Sequence, residues 1–207
     1  PYTESGDCFG HSVAISGNTI VVGTPSEDSN VKGVLTGNFS AVSDNSATNS
    51  GIVYVYEKNT FVGQWYLHSI FKASNAGESD HFGYSVAIDK DIIAVGAYGE
   101  DSYPTFITNT DGKDVFWYTH KENSGAVYVF RKNHKLQWNQ DAFIKASNSI
   151  ENLTFGISVA VDNLNIIVGT HNDRSNFAGV DNTDGSASSD TSNPASGAAY
   201  VFTVKPN

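Results

Sequence analysis

Bulky and small positions alternate strictly in the segment Phe9 to Ile15. Phe9, His11, Val13 and Ile15 are large; Gly10, Ser12 and Ala14 between them are small. A period of two is the signature of a β-strand whose side chains project to opposite faces. The second face carries no charge, so another layer is expected close against it and both faces are expected to be buried. The pattern returns as Phe82-Gly83-Tyr84-Ser85-Val86-Ala87-Ile88 and as Phe155-Gly156-Ile157-Ser158-Val159-Ala160-Val161. The spacing from 9 to 82 and from 82 to 155 is 73 residues each time. Self-similarity at a fixed period marks a repeat architecture.

The rest of the period repeats as well. A short turn of Ser, Gly, Asn or Asp (Ser16 to Thr19, Asp89 to Asp91, Asp162 to Asn165) leads to an apolar run that closes on Gly23, Gly96 or Gly169. Such a run predicts a strand covered on both faces. A polar loop of about two dozen residues follows in each copy, well beyond ordinary connections and therefore either functional or disordered. Two of these loops share Asn-Thr-Asp-Gly, at Asn109 to Gly112 and Asn182 to Gly185. Ser50-Gly51, Ser124-Gly125 and Ser196-Gly197 then open an aromatic third strand. A fourth strand begins at Trp65 and Trp138 and ends in Lys72-Ala73-Ser74 and Lys145-Ala146-Ser147.

Each period thus predicts a four-stranded antiparallel meander without helix. Sheets of this kind stack radially as propeller blades. The expected fold is all-β: three four-stranded antiparallel blades of a β-propeller, 1–74, 75–147 and 148–207. The third blade lacks its fourth strand within this sequence. The alternatives are an unclosed stack of sheets and a β-sandwich, which does not by itself require a 73-residue repeat. Three blades are fewer than the four to eight of common closed propellers. A longer propeller, or identical chains joined head to tail into a ring or fibre, is the expected context.

Composition narrows the partners. There are 12 Lys and Arg against 22 Asp and Glu, a formal charge of −10. That balance disfavours nucleic acid and anionic membrane surfaces, which attract basic patches. No apolar stretch reaches the 18 residues of a membrane span, so no membrane insertion is expected in this segment. Methionine and a secretory leader are both absent, so the chain is expected to be a mature product or a fragment. With Cys8 as the single cysteine, an internal disulfide and a cysteine-based zinc site are excluded. Asn38-Phe39-Ser40 and Asn152-Leu153-Thr154 are glycosylation acceptors if the chain is secreted in a glycosylating host, and they point to an extracellular or cell-surface location.

The combination Asp-x-Phe-Gly-x-Ser-Val-Ala-Ile, an apolar run ending in Gly-Thr-Pro or Gly-Ala-Tyr, and Ser-Gly-x-Val-Tyr-Val-Phe resembles the FG-GAP repeat. That repeat builds the seven-bladed propellers of integrin alpha subunits and of many bacterial and protist surface proteins. The chain is most similar to the compact variety, with Trp and Lys-Ala-Ser before the next Phe-Gly. The resemblance implies a propeller whose ligands bind at a loop-bearing rim. In integrin-type blades a calcium loop joins the first two strands. Here those turns are too short to wrap an ion that takes six to eight oxygens, so calcium is not expected at that place. Asp7 and Asp80 match the family's Asp two before Phe; Leu153 replaces it in the third copy.

The candidate chemistry lies after the apolar run. Glu27 and Asp28, Glu100 and Asp101, and Asp173 fall four or five residues past the repeated glycine, at equivalent sites on one rim. They are either ligands for calcium as a cofactor or turn residues satisfying backbone amides. Tyr103, Phe106, Phe116, Trp117 and Tyr118 stand out in the second long loop. Exposed, they would stack on sugars or contact a protein; packed down, they would be a small core holding the loop. The six histidines show no metal-binding spacing and the serines no nucleophile elbow, so no catalytic set is tied together. The expected function is therefore non-enzymatic: adhesion, recognition or structural surface assembly, with a protein or glycan at the loop rim. The alternatives are a carbohydrate-binding propeller using Tyr103, Trp117 and Tyr118, and an accessory region of a secreted enzyme.

Overall fold

The computed structural model describes residues 3–102, 121–175, 179 and 192–205. The chain builds three consecutive antiparallel sheets. The first contains β1 (Ser12–Ser16), β2 (Thr19–Thr24), β3 (Gly33–Thr36), β4 (Ile52–Lys58) and β5 (Trp65–Lys72), in the order β1-β2-β4-β5-β3. The second is β6 (Ser85–Asp89), β7 (Ile92–Ala97), β8 (Ala126–Lys132) and β9 (Trp138–Ile144), in chain order. The third is β10 (Ser158–Asp162), β11 (Asn165–Thr170) and β12 (Ala198–Thr203).

Two features depart from three equal four-stranded blades. The first long loop contributes β3, which pairs with the outer edge of β5 from Gly33↔Lys72 to Thr36↔Ser69. A bare strand edge offers unpaired amides and carbonyls, and a short apolar loop segment such as Val34-Leu35 can satisfy them. The same loop then forms a 3-10 helix, Ser40–Ser43, that buries Val42, where no helix was expected. The third sheet has three strands among the described residues.

The alternation read from the sequence explains how the sheets stack. Ser12, Ser85 and Ser158 stand opposite Gly23, Gly96 and Gly169 in register. The Ser12 hydroxyl donates to the Gly83 carbonyl of the next sheet at 2.8 Å, and Ser85 donates to Gly156 at 2.7 Å. A Cβ on Gly23 or Gly96 would overlap those same carbonyls. The small face is thus where the next sheet's backbone arrives, and β6 lies between β1 and β10.

The bulky face meets the preceding sheet. Val21, Val53, Val55 and Phe71 pack against Phe82, Ile93, Val95, Tyr128 and Phe130, with Phe71 stacked on Phe130 at 4.4 Å between centroids. Ile92, Val127, Val129 and Ile144 likewise pack against Phe155, Ile166 and Val168. Burying each such side chain contributes about 1.5–3 kcal/mol. The first sheet lacks a predecessor among the described residues. The expectation that both faces of its first strand are buried therefore fails there: Val13 is 66% and Ile15 64% exposed. The outer part of that face, Ile52, Tyr54 and Ile70, is covered instead by Leu35, Phe39 and Val42 of the first long loop.

Candidate functional site

The repeated motifs converge at the junction between each long loop and the sheet beneath it. Lys72, at the end of β5, is wholly buried and reaches Glu27 Oε2 at 2.9 Å. Its ammonium also donates to Ser50 Oγ at 2.7 Å and to Ser29 Oγ at 3.3 Å. The second sheet repeats the arrangement: Lys145 Nζ lies 2.6 Å from Glu100 Oε2 and 2.7 Å from Ser124 Oγ. Burial pulls the Lys72 ammonium below its ordinary pKa while the Glu27 carboxylate pulls the other way.

The residue after each Lys-Ala-Ser carries the network into the next sheet. Asn75 Nδ2 donates to Glu100 Oε1 at 2.9 Å, and Tyr128 OH donates to Asn75 Oδ1 at 2.6 Å. Asn148 donates to Asp173 Oδ2 at 2.9 Å, and Tyr200 OH lies 2.8 Å from the same oxygen. Burial raises the pKa of the Tyr128 and Tyr200 hydroxyls; nearby Glu100 adds to it for Tyr128, and the bond to Asp173 for Tyr200. Asp80 accepts from the Gly77 amide at 2.7 Å. Burial, then the charges of Glu100 and Asp101, raise its pKa well above the carboxylate range; the Gly77 bond and Lys145 act in opposition.

These contacts separate the five acids. Glu27 and Glu100 are committed to ammonium groups. Asp28 Oδ1 accepts from the Asn49 amide and Asp101 Oδ1 from the Asn123 amide, each at 2.7 Å, closing their loops. Asp173 is buried against Asn148, Tyr200 and the Ser175 amide. The acids lie in successive sheets, and the described residues contain no group of three or more His, Cys, Asp or Glu able to hold a metal ion. At the first two junctions the donor set does not fit calcium, because a lysine ammonium stands where the cation's charge would fall. Asp28 and Asp101 behave as turn residues; Glu27, Glu100 and Asp173 are neither solvated nor gathered around an ion site.

Backbone bonds complete each junction. Gly51 N donates to Glu27 O at 2.9 Å, Gly125 N to Glu100 O at 2.8 Å and Gly197 N to Asp173 O at 3.3 Å. Ser-Gly then meets the next Phe-Gly: Phe82 N donates to Ser50 O at 3.1 Å and Phe155 N to Ser124 O at 3.2 Å. Gly51 has φ 80°, and a Cβ there would strike the Phe82 backbone, so the approach requires glycine.

Four rings line the same rim between the first and second sheets. His11 contacts Tyr84 at 4.5 Å, Tyr84 meets Tyr98 edge-on at 4.6 Å, and His81 stacks on Tyr98 at 4.9 Å. His11 is exposed and the other three are half-buried. Both ends of this row sit beside Phe-Gly motifs, a signal that the scattered histidine spacing conceals. The lysines were equally concealed: Lys-Ala-Ser recurs at the period, but only the fold shows its charge opposite the repeated acid.

The acceptors Asn38 and Asn152 are exposed, and Asn152 has φ 58° at the turn into the third sheet. Tyr103, Phe106, Phe116, Trp117 and Tyr118 lie outside the described residues.

No curated protein matches the chain. A model of the FG-GAP repeat matches residues 3–56 and 65–130, more than half of the sequence, across the sheets whose junctions the Phe-Gly, Ser-Gly and Lys-Ala-Ser motifs form. The chain belongs to the FG-GAP repeat family.

Proposed function

We propose that this chain is a non-enzymatic, extracellular β-propeller segment that serves adhesion, recognition or structural surface assembly through its loop-bearing rim. The observation that carries this is the row His11, Tyr84, Tyr98 and His81, which leaves aromatic surface open on that rim. Half-exposed tyrosines supply rigid contact area with a polar tip and are enriched at protein interfaces. The buried ionisable groups nearby are engaged with one another, which fits a framework more than a reacting centre. Further blades or identical chains would continue the stack at the third sheet, whose outward face leaves Ile167 46% and Val201 67% exposed.

The test is a binding screen of the immobilised chain against extracellular matrix proteins, cell surfaces and glycans, repeated with Tyr84→Ala and Tyr98→Ala. Binding lost in both variants at unchanged melting temperature is the expected result. Binding indifferent to both substitutions, or turnover of a substrate by the isolated chain, would overturn the proposal.

A further inference from the structure

The strand ends opposite the long loops carry a second exposed feature. β4 runs away from the loop junction to Lys58, and the turn Asn59 to Gln64 leads back into β5 at Trp65. Phe61 at its tip is 97% exposed, and Val62 beside it is exposed as well. Trp65 and Tyr66 follow, also exposed, with the Lys58 ammonium 5.9 Å from the Trp65 ring centre. The turn between β8 and β9 repeats the plan: Leu136 protrudes, and Lys132 lies 5.6 Å from the Trp138 ring centre. Glu57 accepts from both Lys132 and Trp138, so the two turns stand side by side. The first turn has a complete sheet after it and the second a complete sheet before it, yet both tips are exposed. The tips therefore clear a neighbour on either side.

The first turn closes on itself. Asn59 Oδ1 accepts from the Phe61 and Val62 amides at 3.0 and 3.3 Å. The Gly63 amide donates to Asn59 O and the Asn59 amide to Gln64 O, both at 2.8 Å. Backbone groups that enter a waterless medium must be satisfied internally in this way. Segments 58–66 and 132–138 contain no Asp or Glu, although the chain carries a formal charge of −10. Apolar residues form the tip, Trp and Tyr stand behind them, and Lys lies at the base. That is the order of depth at a lipid interface: apolar groups in the acyl boundary, amphipathic rings at the headgroups, ammonium groups reaching water. Phe61 and Val62 each lie three residues beyond a strand end, at most about 10 Å of chain. Interfacial segments sink to a similar depth, about 5–10 Å. A stable protein interface takes about 800 Å² from each partner. One aromatic ring buries about 150–250 Å², so a narrow tip of Phe61, Val62 and Leu136 falls short of that. A lipid surface requires no complementary face.

We propose that the β4–β5 turn docks the chain on a lipid surface. Phe61 and Val62 enter the acyl boundary, Trp65 and Tyr66 lie among the headgroups, and Leu136 of the neighbouring turn is the second point of contact. The surface is zwitterionic, because the net negative charge opposes approach to an anionic one. The contact is interfacial and involves no membrane span. It lies at the opposite strand ends from the row of four rings, so it stands apart from the function proposed above.

The test is co-sedimentation of the intact chain with phosphatidylcholine vesicles. Partition that saturates with lipid is expected, no stronger than a single acyl chain gives, about 10⁴ M⁻¹. It should weaken when phosphatidylserine replaces part of the lipid. Phe61→Ser is expected to partition at least about tenfold more weakly at unchanged melting temperature, since burial of one such ring accounts for that factor. Phe61→Leu should keep most of the binding. Tyr84→Ala and Tyr98→Ala should partition like the parent, which separates this contact from the rim. Absence of partition, or equal partition of Phe61→Ser, would overturn the proposal. So would self-association that Phe61→Ser abolishes, which marks a second copy, or Phe61-dependent cell attachment lost on protease stripping of the cells, which marks a protein partner.

Discussion

At the scale of single residues, the buried lysines and acids decide how the chain responds to substitution. Lys145 and Glu100 are both nearly inaccessible to solvent. Lys145→Met leaves a buried carboxylate without its cation, and a loss of about 3–5 kcal/mol is expected in urea unfolding. Pairing Lys145→Met with Glu100→Leu should recover most of it, because a matched apolar pair carries no desolvation cost. A single-variant loss below about 1 kcal/mol would place the pair with weak surface bridges instead. Asp80 makes the opposite prediction. Its raised pKa means that the folded chain holds this proton more tightly than the unfolded chain. Its contribution to stability is thus greatest at low pH and is lost as pH climbs from the ordinary carboxylate value through the raised one. Asp80→Asn, which can still accept from Gly77, is expected to melt higher than the parent at pH 7 and to flatten that decline. Equal slopes of melting temperature against pH in the two proteins would refute this.

At the scale of elements, alternation of large and small residues found the first strand of each sheet, because a two-residue period has no helical reading, but it set the start three residues early: the strands begin at Ser12, Ser85 and Ser158, and the Phe-Gly pairs lie before them with their glycines at positive φ. It also announced a close neighbour on the small face, which the Ser12 and Ser85 bonds to the next sheet bear out. Gly96→Ala is expected to cost about 1–3 kcal/mol, since its Cβ meets a backbone carbonyl that cannot rotate away. Gly169→Ala is the control: its Cβ meets the Ser158 hydroxyl, which can turn aside, so thermal melting should separate the two. Strand β3 and the 3-10 helix were not legible. Val34, Leu35 and Val42 sit in a loop too polar for a periodic signal, and their structure depends on an edge and a sheet face made far away in sequence.

At the scale of the whole molecule, the repeat carried most of the architecture. One period describes the strands that the three sheets share, and the stacking follows from which face is small. The junction network was only half legible. The acids stood out because charge after an apolar run is conspicuous, whereas Lys72 and Lys145 look like solvated strand ends until the fourth strand is laid beside the second loop. Spacing along the chain cannot show that residues 45 apart share one cavity. The row of four rings was hidden for the same reason, because it is assembled from two repeats.

The closure at the base of each long loop has a further consequence. Gly51 and Glu27, Gly125 and Glu100, and Gly197 and Asp173 tie the two ends of their loops together at the sheet. With the ends pinned, lengthening what lies between costs little; doubling a flexible loop adds only about 0.6 kcal/mol of closure entropy. New residues inserted between the pinned ends need not move the strands below, save in the first loop, where Gly33–Thr36 is itself paired with β5. Such a chassis tolerates wide diversification of its outermost segments, so descendants of one ancestral blade can acquire unrelated specificities while their scaffold stays the same.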